Sequence, residues 1–175
     1  RDLCKQYPFL IPWNRWSGKL ITDCAAGEKG YWPGCPDELP EYDYEYTELD
    51  NMPDGWRIAF GMQMCEELRD ALIEDDDLDR YRVVEVKEKY GGLRWYDNGI
   101  KAGSRVHDIV RKYENMSART CIVCGKPATR VTLGWVSPFC DDCCLNCENG
   151  RSVSIDEYYE EDDEYRERLL AYIRK

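Results

Sequence analysis

Two Cys-x-x-Cys pairs, Cys121-Ile-Val-Cys124 and Cys140-Asp-Asp-Cys143, stand fifteen residues apart, and no other feature constrains the fold as tightly. Four thiolates at this spacing close around a tetrahedral ion, each pair forming a knuckle whose backbone turns about the metal. The expected cofactor is a structural zinc, because four protein ligands leave no open position for a catalytic water. The intervening segment has room for one β-hairpin. Ala128 to Leu133 and Trp135 to Phe139 suit its two arms, and Gly134 suits the turn. A third pair, Cys144 and Cys147, competes for the second knuckle. Cys140 and Cys143 are favoured because Cys140 follows directly from the hairpin arm.

Six of the ten cysteines fall between residues 121 and 147 in Cys-x-x-Cys geometry, while Cys4, Cys24 and Cys35 lie in a loop-like region. The clustering favours a reduced, cytoplasmic metal protein over an extracellular disulfide framework. No apolar run approaches the roughly 20 residues of a membrane span, and no secretory apolar segment is visible.

The formal net charge of −11 is unevenly distributed. Residues 1–80 carry eight basic and nineteen acidic side chains, residues 81–139 eleven and five, and residues 140–175 five and eleven. A basic middle is thus flanked by acidic ends. The whole chain should repel bare nucleic acid at long range and be drawn to basic protein surfaces.

The elements can be read in order. Prolines at 8, 12, 33 and 36 keep residues 1–36 irregular, and Tyr7, Phe9, Leu10, Trp13 and Trp16 form an aromatic arm expected to lie over the core. Lys19 to Thr22 suit one short strand. In Glu41-Tyr-Asp43-Tyr-Glu45-Tyr the strict alternation would put three carboxylates on one face of an extended ribbon. That face is either an ordinary solvated edge or a mimic of a phosphate backbone. Pro53 opens a helix with Ile58, Gly61, Cys65, Leu68 and Leu72 on its apolar face, widened by Phe60, Met64 and Ala71. An acidic loop, Glu74 to Asp79, follows. Tyr81 to Lys89 and Leu93 to Tyr96 make a hairpin turned at Tyr90-Gly91-Gly92. A second helix runs from an N-cap at Ser104 to about Met116, and a third starts at Ser154 with Glu157 completing a capping box.

The fold class expected is α+β. A mixed helix and β-hairpin domain would occupy residues 1–118, a small zinc ribbon bearing the three Cys pairs residues 119–148, and a C-terminal amphipathic helix, packing back on the domain, residues 149–175.

Catalytic chemistry finds little support. The single histidine, His107, sits beside the second helix's apolar stripe, and no glycine-rich phosphate loop precedes a helix. Asp54 with Glu85 and Lys87 loosely matches the PD-(D/E)xK pattern of metal-dependent nucleases, but Asp54 falls at a helix start rather than beside Glu85. Two surfaces could serve binding. Acids at Glu41, Asp43, Glu45, Asp75, Asp76, Asp77, Glu160, Glu161 and Asp162, the last three within the run Asp156 to Glu164, suit a basic protein partner. Arg111, Lys112, Arg119, Lys126 and Arg130, with Trp135 for stacking, suit nucleic acid.

Three stretches carry a resemblance: Tyr7-Pro-Phe-Leu-Ile-Pro12 with Trp16-Ser-Gly-Lys19; Tyr46-Thr-Glu-Leu-Asp50 running into Met52-Pro-Asp-Gly-Trp-Arg57; and Lys87-Glu-Lys-Tyr-Gly-Gly-Leu-Arg-Trp-Tyr96. Together with the Cys121–Cys143 ribbon they resemble a family of uncharacterised small proteins from bacteriophages and mobile elements of anaerobic bacteria. Residues 24–38 look like an insertion relative to that pattern. The resemblance implies no catalytic residue. It does imply a setting in which small acidic proteins, anti-CRISPR proteins among them, block host defence. The leading expectation is therefore an inhibitor of a host nucleic-acid-handling enzyme, such as a CRISPR effector nuclease. The alternatives are a zinc-ribbon nucleic-acid-binding or regulatory protein using residues 81–139 and, last, a metal-dependent nuclease.

Overall fold

The computed structural model describes residues 2–14, 19–20, 46–145 and 151–173, and the chain is α+β. Helix α1 (Asp2–Gln6) leads through a 3-10 turn at Pro8–Leu10 into a short antiparallel pair, β1 (Trp13–Asn14) and β2 (Lys19–Leu20). The aromatic arm goes deeper than a covering segment. Tyr7, Phe9 and Leu10 have no exposed surface, and Phe9 meets Tyr81 edge-on at 5.7 Å. Trp16, Cys24, Cys35 and the alternating ribbon with Glu41, Asp43 and Glu45 lie outside the described residues.

Helix α2 (Asp54–Trp56), a π-helical segment (Arg57–Gly61) and α3 (Met62–Glu74) follow one another without a break. The π segment corrects one expectation. Ile58 lies seven residues before Cys65, on the apolar face of a regular α-helix, yet it is 72% exposed. A π turn takes one residue more than an α turn, so it rotates everything before it relative to α3. Trp56, Phe60 and Gly61 face the core instead, continuing to Met64, Cys65, Leu68, Ala71 and Leu72. A substitution pair tests the phase shift by chemical denaturation. Ile58→Glu should change stability by less than about 0.5 kcal/mol, whereas Leu68→Ala should cost about 2–5 kcal/mol.

Strands β3 (Val83–Lys89) and β4 (Gly92–Asp97) form an antiparallel hairpin with Val86 opposite Trp95 and Lys89 opposite Gly92. The register shifts between Val83 and Glu85, a bulge that lets both Val83 and Val86 face inward. The two turn residues, Tyr90 (φ 53°) and Gly91 (φ 76°), are both left-handed, as a type I′ turn requires. Helix α4 (Val106–Ser117) buries Val106, Ile109 and Tyr113, while Met116 points outward and Ser117 takes the buried place. The Ser104 hydroxyl oxygen accepts the Val106 N–H at 3.2 Å, so Ser104 serves as a cap. On the open edge of β4, the Leu93 N–H donates to Ser117 Oγ at 2.8 Å and the Trp95 N–H to Glu114 Oε1 at 3.2 Å. Side chains of α4 thereby satisfy an edge that would otherwise present bare N–H groups.

The ribbon has three strands, in the order β6-β5-β7: β5 (Arg130–Thr132), β6 (Pro138–Phe139) and β7 (Ser152–Ser154), all antiparallel. Between them lies α5 (Asp141–Leu145), and β7 runs directly into α6 (Ile155–Ile173). The ribbon sheet is completed from beyond residue 148, by Ser152–Ser154. Ile155 packs with Ala128 and Val131 of the ribbon, and Tyr159 Oη donates to the Ala118 carbonyl at 3.2 Å. The start of α6 therefore rests on the ribbon and the end of α4. Among the described residues, no helix is long and apolar enough to cross a membrane.

Candidate metal centre

The sulfur atoms of Cys121, Cys124, Cys140 and Cys143 lie within 4.8 Å of one another, with Cys124 Sγ and Cys140 Sγ 3.6 Å apart. Metal–sulfur bonds of about 2.3 Å in a tetrahedron imply sulfur–sulfur edges of about 3.8 Å, so this donor set fits a bound ion. The first knuckle is built by Cys121 to Gly125. The Cys121 N–H donates to the Lys126 carbonyl at 2.8 Å, and the Gly125 N–H donates to the Cys121 carbonyl at 3.0 Å. Gly125 has φ 77°, which closes the turn. The second knuckle starts where β6 ends and continues into α5, whose Cys144 N–H donates to the Cys140 carbonyl at 2.9 Å. The Ile122 N–H donates to the Pro138 carbonyl at 2.9 Å and joins the two halves.

Electrostatics favour a thiolate at Cys121 but not at Cys140 or Cys143, whose thiols are pushed up, that of Cys143 chiefly by burial. Burial raises the Cys121 thiol, but backbone N–H groups of Cys124, Cys140 and Val123 outweigh it and bring it down to about 7. Lys126 donates to Asp142 at 3.4 Å, and Asp142 with the Cys124 and Cys140 sulfurs holds the ammonium above its usual range. Cys144 is half-buried and packs against the cluster, but it is not one of the four sulfurs that gather. Cys147 lies outside the described residues. No described cysteine is in a disulfide.

The centre is also locked to the main domain, which spacing alone did not reveal. The Gly55 N–H donates to the Ile122 carbonyl at 2.9 Å, and Trp56 Nε1 donates to the Thr120 carbonyl at 2.9 Å. A Cβ on Gly55 would stand 2.1 Å from the Cys121 carbonyl oxygen, and one on Gly125 would stand 2.6 Å from the Gly55 carbonyl oxygen. The two glycines let knuckle and helix start approach backbone to backbone. The run Pro53-Asp-Gly-Trp56 is therefore part of the metal module's seat.

The other candidate residues fall into distinct groups. Arg111 pairs with Asp108 at 2.7 Å, Lys112 with Glu67 at 2.7 Å, Arg119 with Asp156 at 3.0 Å and Lys126 with Asp142 at 3.4 Å. Arg130 donates to the Ser152 hydroxyl at 2.9 Å and the Ser152 carbonyl at 3.0 Å. Of the loop acids, Asp76 is exposed, and Asp75 accepts the Ser104 hydroxyl. Asp77 is a correction: its carboxylate is 5% exposed and accepts Arg80 Nε at 2.6 Å and Arg80 Nη2. Those hydrogen bonds hold Asp77 below the usual carboxylate range and remove it from the expected acidic surface. Glu160 is exposed on α6; the side chains of Glu161 and Asp162 are outside the described residues. His107 is exposed. Asp54 binds Arg57 at 2.6 Å and Glu85 binds Lys87 at 2.6 Å. Among the described residues, only the four cysteines form a group able to hold a metal. Comparison with known family models, with curated proteins and with solved structures gave no match.

Proposed function

We propose that this chain is a non-catalytic, zinc-stapled binding protein that occupies a basic, nucleic-acid-handling surface of a host enzyme in the cytoplasm. Zinc is well suited to four clustered thiolates in a closed tetrahedral site. The observation that carries the binding reading is the internal neutralisation of the basic middle. Four of the five cations proposed for nucleic acid are paired with the chain's own carboxylates, so the acids elsewhere dominate the outward field. On α6, Glu157, Glu160 and Glu167 are exposed, and no described cation pairs with them. Carboxylates three to seven residues apart on a helix are roughly 5–10 Å apart along its axis, a linear anionic array that matches a groove lined with Arg and Lys. Glu41, Asp43 and Glu45 add to that charge by sequence. The setting implied by the resemblance narrows the partner to an effector nuclease of the CRISPR type.

The test uses the full chain, metal-loaded, with a purified guide-loaded effector nuclease. Inhibition of DNA cleavage is the expected result, weakened at least tenfold by the triple variant Glu157→Lys, Glu160→Lys, Glu167→Lys. Inhibition untouched by that variant would remove α6 from the contact, and no binding to any such enzyme would end the proposal. Trp135, 72% exposed on the ribbon loop, favours the second reading, nucleic-acid binding. That reading requires the chain alone to bind DNA with a steep salt dependence.

A further inference from the structure

A groove of about 660 Å³ opens where three elements meet: the tip of the β3–β4 hairpin, the end of α4 and the start of α6. Its walls include Tyr90, Arg94, Glu114, Arg119, Tyr158 and Tyr159. The volume lies within the roughly 300–1,000 Å³ range of small-molecule sites. Tyr90 is the residue that singles it out. A left-handed φ of 53° is a place for Asn or Gly in such a turn, yet a tyrosine stands there with 79% of its surface exposed. Strain spent on an exposed aromatic at a groove points to a contact role.

The charges around it are distinctive too. Most described cations in the basic middle are paired with carboxylates, but Lys89 and Arg94 have no carboxylate partner among the described residues. Lys89 Nζ lies 5.6 Å from the Tyr90 ring centroid, and Arg94 Nη1 donates only to the Leu93 carbonyl at 2.8 Å. On the far side, Arg119 lies over the Tyr159 ring at 5.0 Å and is held by Asp156 at 3.0 Å, and Tyr158 packs edge-on to Tyr159 with centroids 5.3 Å apart. Glu114 spends Oε1 on the Trp95 N–H, and no described residue donates to Oε2. Aromatic faces on two elements, one cation without a carboxylate partner, Arg94, and one free carboxylate oxygen line the groove as the complement of a nucleotide. Base planes stack on aromatic rings, phosphate pairs with guanidinium and ammonium groups, and a carboxylate accepts from an exocyclic amino group. Asp163 also faces the groove, which places the phosphate on the hairpin side.

We infer that this groove binds a nucleotide, either free or as part of a single strand, with the base against Tyr90 and Tyr158 and the phosphate at Arg94. The site shares no residue with the acidic array of α6, so its test is separable from partner capture. Calorimetric titration of the metal-loaded full chain with adenosine 5′-monophosphate and with a six-residue oligo-deoxyadenylate should show saturable binding. Stronger binding of the oligonucleotide, compared per nucleotide, assigns the strand, and the reverse assigns the free nucleotide. Tyr90→Asn should weaken binding about tenfold or more while leaving the unfolding temperature unchanged or higher, since asparagine suits the left-handed turn. Arg94→Gln should weaken it similarly and flatten its salt dependence. Absence of binding by both probes at millimolar concentration, or binding that either variant leaves untouched, overturns the inference.

Discussion

On the proposal that the four cysteines hold zinc, a strong chelator should unfold the ribbon and loosen the helix packed on it. Metal binding by small four-thiolate modules supplies about 10–16 kcal/mol of folding free energy, comparable to the whole stability of a typical domain, about 5–15 kcal/mol. The ribbon sheet has only three short strands, and its apolar clusters are small, with Cys121, Phe139 and Cys140 in one and Ala128, Val131 and Ile155 in the other. Loss should spread because the first knuckle holds Gly55 and Trp56 through hydrogen bonds of 2.9 Å each. The measurement is Trp fluorescence with far-UV circular dichroism during chelation and zinc return. A red shift as Trp56 is hydrated, together with partial loss of helix, is expected; loss of ribbon structure with the Trp56 environment unchanged would show that the seat does not transmit. Cys140→Ser should abolish tight metal binding, and Cys144→Ser should preserve it.

Gly55→Ala should be the most damaging glycine-to-alanine change among the described residues. The added carbon would stand 2.1 Å from the Cys121 carbonyl oxygen and 2.6 and 2.7 Å from the Ile122 carbonyl carbon and oxygen. All three atoms are backbone within a knuckle that also positions sulfur, so no side-chain rotation relieves the overlap. Relief requires separating α2 from the knuckle, which breaks the Gly55–Ile122 hydrogen bond and shifts Trp56. Overpacking of this kind costs about 3 kcal/mol or more, equivalent to a fall in melting temperature of about 10 °C for a chain of this size. Metal affinity should fall with it. Gly99→Ala offers the contrast, since nothing lies within 4 Å of its added carbon; its left-handed φ of 92° leaves only a smaller, conformational cost. Equal effects of the two substitutions would contradict the seat.

The metal centre was legible because ligand chemistry is local. A thiolate pair three residues apart closes one knuckle by itself, and the spacing to the next pair dictates a hairpin. The β3–β4 hairpin and α4 were legible for a similar reason: apolar periodicity and turn residues act over a few positions. Of the alternating ribbon, residues 41–45 lie outside the described residues. The sequence pattern failed at Ile58, where a π turn altered the helical period, and at Asp77, whose acidity suggested a surface while a neighbouring Arg80 took it into the fold. It also failed at β7, since Ser152-Val-Ser154 is too short for any periodicity to register.

By itself, then, the sequence determined which cysteines gather, where the main hairpin turns and how charge divides along the chain. Tertiary structure decided which of those charges remain available, that the ribbon and main domain are locked through Gly55, and that Tyr90, Arg94 and Tyr158 share a groove. These are contacts between segments distant in sequence. They depend on which surfaces meet after helices and strands pack, and no local spacing rule encodes that meeting.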